Sequence, residues 1–266
     1  MINASALTTV FRPRRMIRNL FVVFGALLAA NLTGIALWGQ SPEILLTLLA
    51  AILISAGNYG LNELLDIESD KHHPEKKFRA LPAGKIPTRI VWTWSFIFYG
   101  LGFAVAFGLG SQTILILLGA IVLLIGFFYN APPFRFKDWP YLDVITESTG
   151  YPLRIALGWY AVTAAPIPLI LILGSWLFGA FLLTGKRFAE LRYLAFQKDL
   201  LLYRKSFGFY STQQLFLLMV LLAVGCSLVV FLTGAQNHFN FGYFLPVLAV
   251  FFFWYFYLAF QPNSIV

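Results

Sequence analysis

Eight long apolar stretches follow one another along this chain, and they leave little room for any fold but one. A helix needs about 20 mostly apolar residues to cross the hydrocarbon core of a bilayer. Spans of that kind fall near 16–38, 43–62, 88–109, 112–130, 140–162, 166–186, 212–234 and 241–260. Turn-forming punctuation separates them: Gln40-Ser41-Pro42, Gly110-Ser111, Ala165-Pro166 and Gly234-Ala235-Gln236-Asn237. Charged residues make up only 11% of the 266, too few to cover a soluble domain of this length. The expected fold is therefore all-α: a polytopic membrane bundle of eight transmembrane helices forming a single domain, 1–266.

The basic residues give this bundle an orientation. Arg12, Arg14, Arg15 and Arg18 precede the first span, which is long enough to be a retained helix and not a cleaved signal. Lys71, Lys76, Lys77, Arg79, Lys85 and Arg89 lie between spans two and three, and Arg135 and Lys137 between four and five. Lys186, Arg187, Arg192, Lys198, Arg204 and Lys205 follow span six. The connections on the other side carry no Lys or Arg, which is the positive-inside pattern with both termini cytoplasmic, as in an inner (plasma) membrane. The net charge of +8 thus reflects topology and anionic ligands, with no nucleic-acid partner implied. The lone Cys226 sits in an apolar run, which excludes an intrachain disulfide and suits a small packed side chain. Two cytoplasmic loops, about 63–87 and 187–211, are long enough to carry function.

The first polar constellation leaves the second span. Asn62, Asp66 and Asp70 recur every four residues, a spacing that stacks them on one helix face. Three oxygen-bearing side chains in a column suit a divalent cation, and Mg²⁺ is commonly held by one or two carboxylates plus substrate phosphates. A solvated acidic helix end would be the plain alternative, but this column continues directly from an apolar span, where ionisable groups are costly. Glu63 adds a further acid, expected with Asn62 at the substrate. Arg79 follows closely and suits phosphate oxygens by a bidentate grip, while Lys76 and Lys77 read equally as phosphate contacts and as ordinary inside-positive flanking charge. His72 and His73 read as solvent-facing loop residues.

Lys186, Arg187 and Glu190 form a second group at the end of span six. They read either as an ion pair at a helix end or as a mixed site, with cations for a phosphate and one carboxylate for a metal or a ribose hydroxyl. Tyr129 and Lys137 are placed to orient a phosphate, with Tyr129 equally suited to be an interfacial anchor. Within span five, Asp143, Glu147 and Arg154 are intramembrane charges, which normally pair or line a polar cavity. A Glu147–Arg154 bridge along one helix face and a substrate role for Arg154 stand level.

At these residues the chain resembles the UbiA superfamily of intramembrane prenyltransferases. That family's Asn-Asp-x-x-Asp-x-x-x-Asp signature stands here as Asn62-Glu63-x-x-Asp66-x-x-x-Asp70, with Glu63 replacing an aspartate. The second motif departs from the family's acidic pattern, because Lys186-Arg187-Phe188-Ala189-Glu190-Leu191 is mainly basic. That departure is similar to the branch that transfers phosphoribose to decaprenyl phosphate, as are Asp70, His73-Pro74, Lys76 and Arg79, and Tyr129, Lys137 and Leu142-Asp143-Val144. The family norm is nine helices; a ninth would begin where the chain ends, at Gln261–Val266.

The resemblance implies Mg²⁺ as cofactor, phosphoribosyl diphosphate as donor and a polyprenyl phosphate as acceptor. Asn62, Asp66 and Asp70 would hold the metal and diphosphate, with Asp66, Asp70 and Glu190 as the catalytic set. Lys186 and Arg187 would bind phosphate, Glu190 would orient the ribose, and Arg154 would meet the lipid head group. A homo-oligomer is compatible with this reading. Transfer of an isoprenyl group to a small acceptor is the nearest rival, and a transporter is the rival from another class; clustering of the polar residues at helix ends disfavours the latter.

Overall fold

The computed structural model describes residues 4–194, 200–236 and 244–261, and among them every regular element is helical. The helices are α1 (Ala4–Phe11), α2 (Leu20–Thr33), α3 (Ser41–Leu65), α4 (Ile67–Asp70), α5 (Thr88–Gly108), α6 (Gln112–Ala120), α7 (Leu142–Ser148), α8 (Gly150–Tyr160), α9 (Leu169–Leu194), α10 (Leu200–Tyr203), α11 (Thr212–Gln236) and α12 (Phe244–Phe260). Five segments are long and apolar enough to cross a membrane: Ala6–Thr33, Leu37–Leu65, Thr88–Gly108, Leu169–Leu194 and Thr212–Thr233. Gln112–Phe128 and Leu245–Phe260 are shorter apolar helices. The chain is a multi-pass, all-helical membrane protein.

Several boundaries differ from the sequence expectation, each for a local reason. The first segment starts ten residues earlier than 16, so Arg12 lies inside it, at a left-handed junction (φ 49°). It ends at Gly34, whose φ of 74° is the left-handed stop that glycine adopts without penalty. The expected fifth span is interrupted at Thr149. Pro152 has no N–H to offer the Ser148 carbonyl, which breaks the ladder there. Glu147 and Arg154 therefore stand on separate helices and not on one continuous face. The expected loop 187–211 is also shorter, because α9 runs on to Leu194 and carries Glu190 with it. Lys198, Asn237 and Pro262–Val266 lie outside the described residues.

The chain packs as two units, Met1–Phe136 with Leu153–Ile167, and Lys137–Pro152 with Pro168–Val266. In the first, α3 lies mainly along α5, and Val22, Ile54, Leu118, Ile121 and Leu157 form a buried apolar cluster. Glycines permit close helix approach, the usual device where apolar lipid supplies no hydrophobic driving force between helices. A Cβ on Gly25 would sit 2.1 Å from the Ile155 carbonyl oxygen, and one on Gly158 1.8 Å from that of Val22. After Ala120 the helix widens into a π-helical turn, Ile121–Phe128. Its disturbed ladder is met by side chains: Asn58 donates to the Ile121 carbonyl at 3.4 Å, and Asn130 to Ile125 and Gly126 at 2.9 and 3.0 Å. Tyr99 in turn donates to Asn58 at 2.7 Å, so this intramembrane amide is satisfied.

The second unit is built on α9 packed against α11, with α7 and α12 alongside. Its core gathers Phe181, Leu183, Phe188, Leu215, Met219, Phe252 and Tyr255, and Cys226 is buried among them as expected.

Candidate functional sites at the ends of α3 and α9

The acidic column keeps its helical spacing although the helix itself is broken. Asp66 leaves α-geometry (φ −101°, ψ 1°) and separates α3 from α4. Even so, the Asp66 amide donates to the Asn62 carbonyl at 3.0 Å, and the Asp70 amide to that of Asp66 at 2.8 Å. The four-residue register of all three thus survives the junction.

Arginines balance the acids. Arg79 donates from one nitrogen to Asp70 at 2.7 Å and to Glu63 at 3.2 Å, and Arg12 also pairs with Glu63. Arg135 donates to Asp66 at 3.1 Å while its other nitrogen holds the Leu65 and Asn130 carbonyls, each at 3.1 Å. Arg135 reaches back from a left-handed position (φ 37°). Burial pushes the Asp70 carboxyl above the usual carboxylate range; Arg79 opposes this, and neighbouring Asp66 adds to it.

Two residues here depart from expectation. Glu63, expected at the substrate, turns inward: it is 1% exposed and serves to hold Arg12 and Arg79. His73, expected to face solvent, is buried. Its Nδ1 accepts the amides of Glu75 and Lys76 at 3.1 and 3.2 Å, which staples the turn leading to Arg79. Lys76 is half-buried and close enough to lower the Asp70 pKa, whereas His72 is exposed as expected. Tyr129 is buried, which removes the interfacial-anchor reading. Deeper in this unit, Arg154 donates to Asn19 at 2.9 Å and to Ser55 at 3.2 Å, and Ser55 donates to Asn19 at 3.0 Å.

In the second unit three carboxylates converge on one guanidinium. Arg187 is 1% exposed. It donates through Nε to Asp143 at 2.9 Å, through Nη2 to Glu147 at 3.0 Å and through Nη1 to Glu190 at 3.4 Å. The segment after α10 closes over this group. Tyr203 donates to Glu190 at 2.5 Å, Tyr210 to Asp143 at 2.6 Å, and Arg204 stands 3.6 Å from Asp143 and 3.9 Å from Glu190. Burial, and then Asp143, raise the Tyr210 phenol, so it remains a donor. Arg187, expected to present its charge to a phosphate, is instead caged by acids because α7 brings Asp143 and Glu147 against it. Lys186 is half-buried on the same helix, and Lys137 is buried at the start of this unit. The sequence sets Asp143 and Glu147 beside Arg154, whereas the structure groups them with Arg187. Tyr203, Arg204 and Tyr210 carried no local signal, since they lie 13, 14 and 20 residues beyond Glu190.

The donor set at the acidic turn suits Mg²⁺. Among the described residues, no protein hydrogen bond engages the Asn62 amide or the second oxygen of Asp70. Oxygens of that kind, in the register described above, match a cation whose shell is completed by water and phosphate. No group of three or more His, Cys, Asp or Glu suited to a metal occurs among the described residues, so an all-protein cage is not what this turn offers.

Comparison with known proteins agrees with this architecture. An alignment covering 71% of the chain, over 195 residues, is 28% identical to a decaprenyl-phosphate phosphoribosyltransferase of Mycolicibacterium smegmatis. A Corynebacterium glutamicum protein of the same name is 25% identical over 191 residues. The matches cover 58% and 55% of those relatives, so the chain spans less than two thirds of their length. A UbiA homologue from Archaeoglobus fulgidus, solved bound to DMAPP and Mg²⁺, superposes with a TM-score of 0.77 over 98% of this chain and 92% of that one, at 18% identity. The family model described as "UbiA prenyltransferase family" matches residues 19–264. With that match over nearly its whole length, the chain belongs to the UbiA prenyltransferase family.

Proposed function

We propose that this protein moves 5-phosphoribose from phosphoribosyl diphosphate onto a polyprenyl phosphate of decaprenyl type. Membership of the UbiA family makes it an intramembrane transferase; the choice of donor is our inference. The observation that carries it is the buried polar group around Arg187. An isoprenyl chain is apolar and gains nothing from Asp143, Glu147, Glu190, Arg187, Arg204, Tyr203 and Tyr210, polar groups that are mostly buried and already paired with one another. A ribose phosphate, rich in hydroxyls and charge, suits such surroundings. The names of the two relatives point the same way.

In this reading Asn62, Asp66 and Asp70 hold Mg²⁺ and, with it, the diphosphate. When bound, the metal supplies positive charge for the departing diphosphate. Arg79 and Arg135 keep the carboxylates in place, and Lys76 adds charge beside Asp70. Lys186 and Lys137 meet the 5-phosphate. Arg187 fixes Glu190 so that its carboxylate receives a ribose hydroxyl. Opposing charge concentrated at the diphosphate lets the bond from ribose C1 to the diphosphate oxygen break while a lipid phosphate oxygen forms the new bond to C1. The acceptor is already anionic, so no general base is required. Arg154, held by Asn19 and Ser55, offers a cation to the lipid head group. By the charge pattern of its loops, we place these groups at the cytoplasmic face of an inner membrane.

The test is incubation of purified protein with Mg²⁺, decaprenyl phosphate and phosphoribosyl diphosphate labelled in the ribose. Label entering the lipid phase is expected. Label entering lipid only from an isoprenyl diphosphate, offered with a small acceptor, would replace this reading with isoprenyl transfer.

A further inference from the structure

One face of the second unit carries a feature that the transfer reaction does not use. Helices α11 and α12 border an open groove of about 770 Å³. Its wall is apolar except for Ser227, whose hydroxyl is turned back to the Ala223 carbonyl at 2.9 Å. Along α11 it runs from Phe216 to Phe231, about 22 Å at 1.5 Å per residue. That is deeper than the ~15 Å hydrocarbon half of one leaflet.

A cation stands at one end of the groove. Phe216 and Phe260 line it, with ring centroids 5.7 Å apart, and the guanidinium of Arg192 lies 5.1 Å from the Phe260 ring and 5.4 Å from that of Phe188. Arg192 is exposed, and its Nη1 is tied to the Ala259 carbonyl at 3.3 Å. Its Nε and Nη2 have no hydrogen-bond partner among the described residues. Those two nitrogens form one edge of the guanidinium, the edge that takes two phosphate oxygens side by side. Stacking on two rings and the tether through Nη1 fix that edge before any ligand arrives.

We propose that this groove holds an acyl chain of an anionic glycerophospholipid whose phosphate is gripped by the free edge of Arg192. Charge complementarity selects an anionic lipid over a zwitterionic one, as at other basic positions beside a membrane span. The site is not a place for a reacting acceptor. Arg192 is two residues beyond Glu190, about 200° around α9, so a phosphate there faces away from the group around Arg187. The lipid is a resident that braces α12 against α9.

The experiment uses the full chain in nanodiscs of phosphatidylcholine containing a minor fraction of phosphatidylglycerol, with retained lipids counted by native mass spectrometry. Both headgroups offer a phosphate to Arg192, so selection rests on net charge, and the anionic headgroup without a choline cation should be preferred about fivefold. Arg192→Gln should bring the two lipids near parity, and Arg192→Lys should keep only part of the preference. Because Arg192 also stacks on α12, Ala249→Phe provides an independent variant: it fills the groove, leaves the cation in place and should equally abolish retention. Parity in the wild type, or an undiminished preference in either folded variant, would overturn the proposal. So would displacement of phosphatidylglycerol by equimolar decaprenyl phosphate, since the groove would then belong to the acceptor.

Discussion

Replacing Arg187 by methionine should be the most damaging single change in the second unit. The side chain is 1% exposed and its three nitrogens meet Asp143, Glu147 and Glu190. Methionine keeps most of the volume and leaves three acids without their central cation. Breaking a buried ion pair from one side costs roughly 3–5 kcal/mol. Arg204, at 3.6 and 3.9 Å from two of the same carboxylates, and the Tyr203 and Tyr210 hydroxyls soften this. The lower end, about 3 kcal/mol, is the expected loss. For a chain of this size that corresponds to a fall in Tm of about 6–12 °C. The assay is thermal unfolding of the purified protein, extended to a double-mutant cycle with Asp143→Asn. Removing the Asp143 charge leaves one fewer acid to be balanced, so the double variant should recover at least ~1 kcal/mol relative to additivity. Additive effects within ~0.5 kcal/mol, or a loss below ~1 kcal/mol for Arg187→Met, would refute the idea that Arg187 is the charge centre of this group.

At the acidic turn, Asp66→Ala and Asp70→Ala should each lower turnover by more than about 100-fold in a protein that still folds, measured by label transfer and thermal unfolding, with Asp70→Ala the less stable of the two because it strips Arg79 of its 2.7 Å partner. Chelation of divalent metal should abolish transfer, and added Mg²⁺ should restore it, as read by the same assay. His73→Ala removes the acceptor for two backbone amides and should cost roughly 1–2 kcal/mol, together with a loss of turnover as Arg79 loses its support. Gly158→Ala drives a methyl group into the Val22 carbonyl, and circular dichroism melts should show roughly 1–3 kcal/mol of destabilisation.

What could be read without coordinates was whatever repeats locally. The apolar spans announce themselves by length, and Asn62, Asp66 and Asp70 by a spacing of four. The partners of those acids did not, because each pairing is made by the fold. Arg12 and Arg135 read as topological charges, yet they reach acids 51 and 69 residues away. Arg187 meets Asp143 and Glu147 across 44 and 40 residues, a link that neither helix period reveals. His73 looked like a loop histidine because nothing in a sequence says that a turn will fold over it. The break at Thr149 was visible in principle through Pro152, but a continuous apolar run masks a missing N–H.

The division of labour between the two polar groups can be tested by measuring equilibrium binding of two fragments of the donor, diphosphate with Mg²⁺ and ribose 5-phosphate. The assignment predicts a crossed pattern: Asp70→Asn abolishes binding of diphosphate and spares ribose 5-phosphate, while Lys186→Ala does the reverse. If one variant removed both fragments and the other neither, or if ribose 5-phosphate did not bind the wild type at all, the assignment of a sugar-phosphate site to the end of α9 would be contradicted.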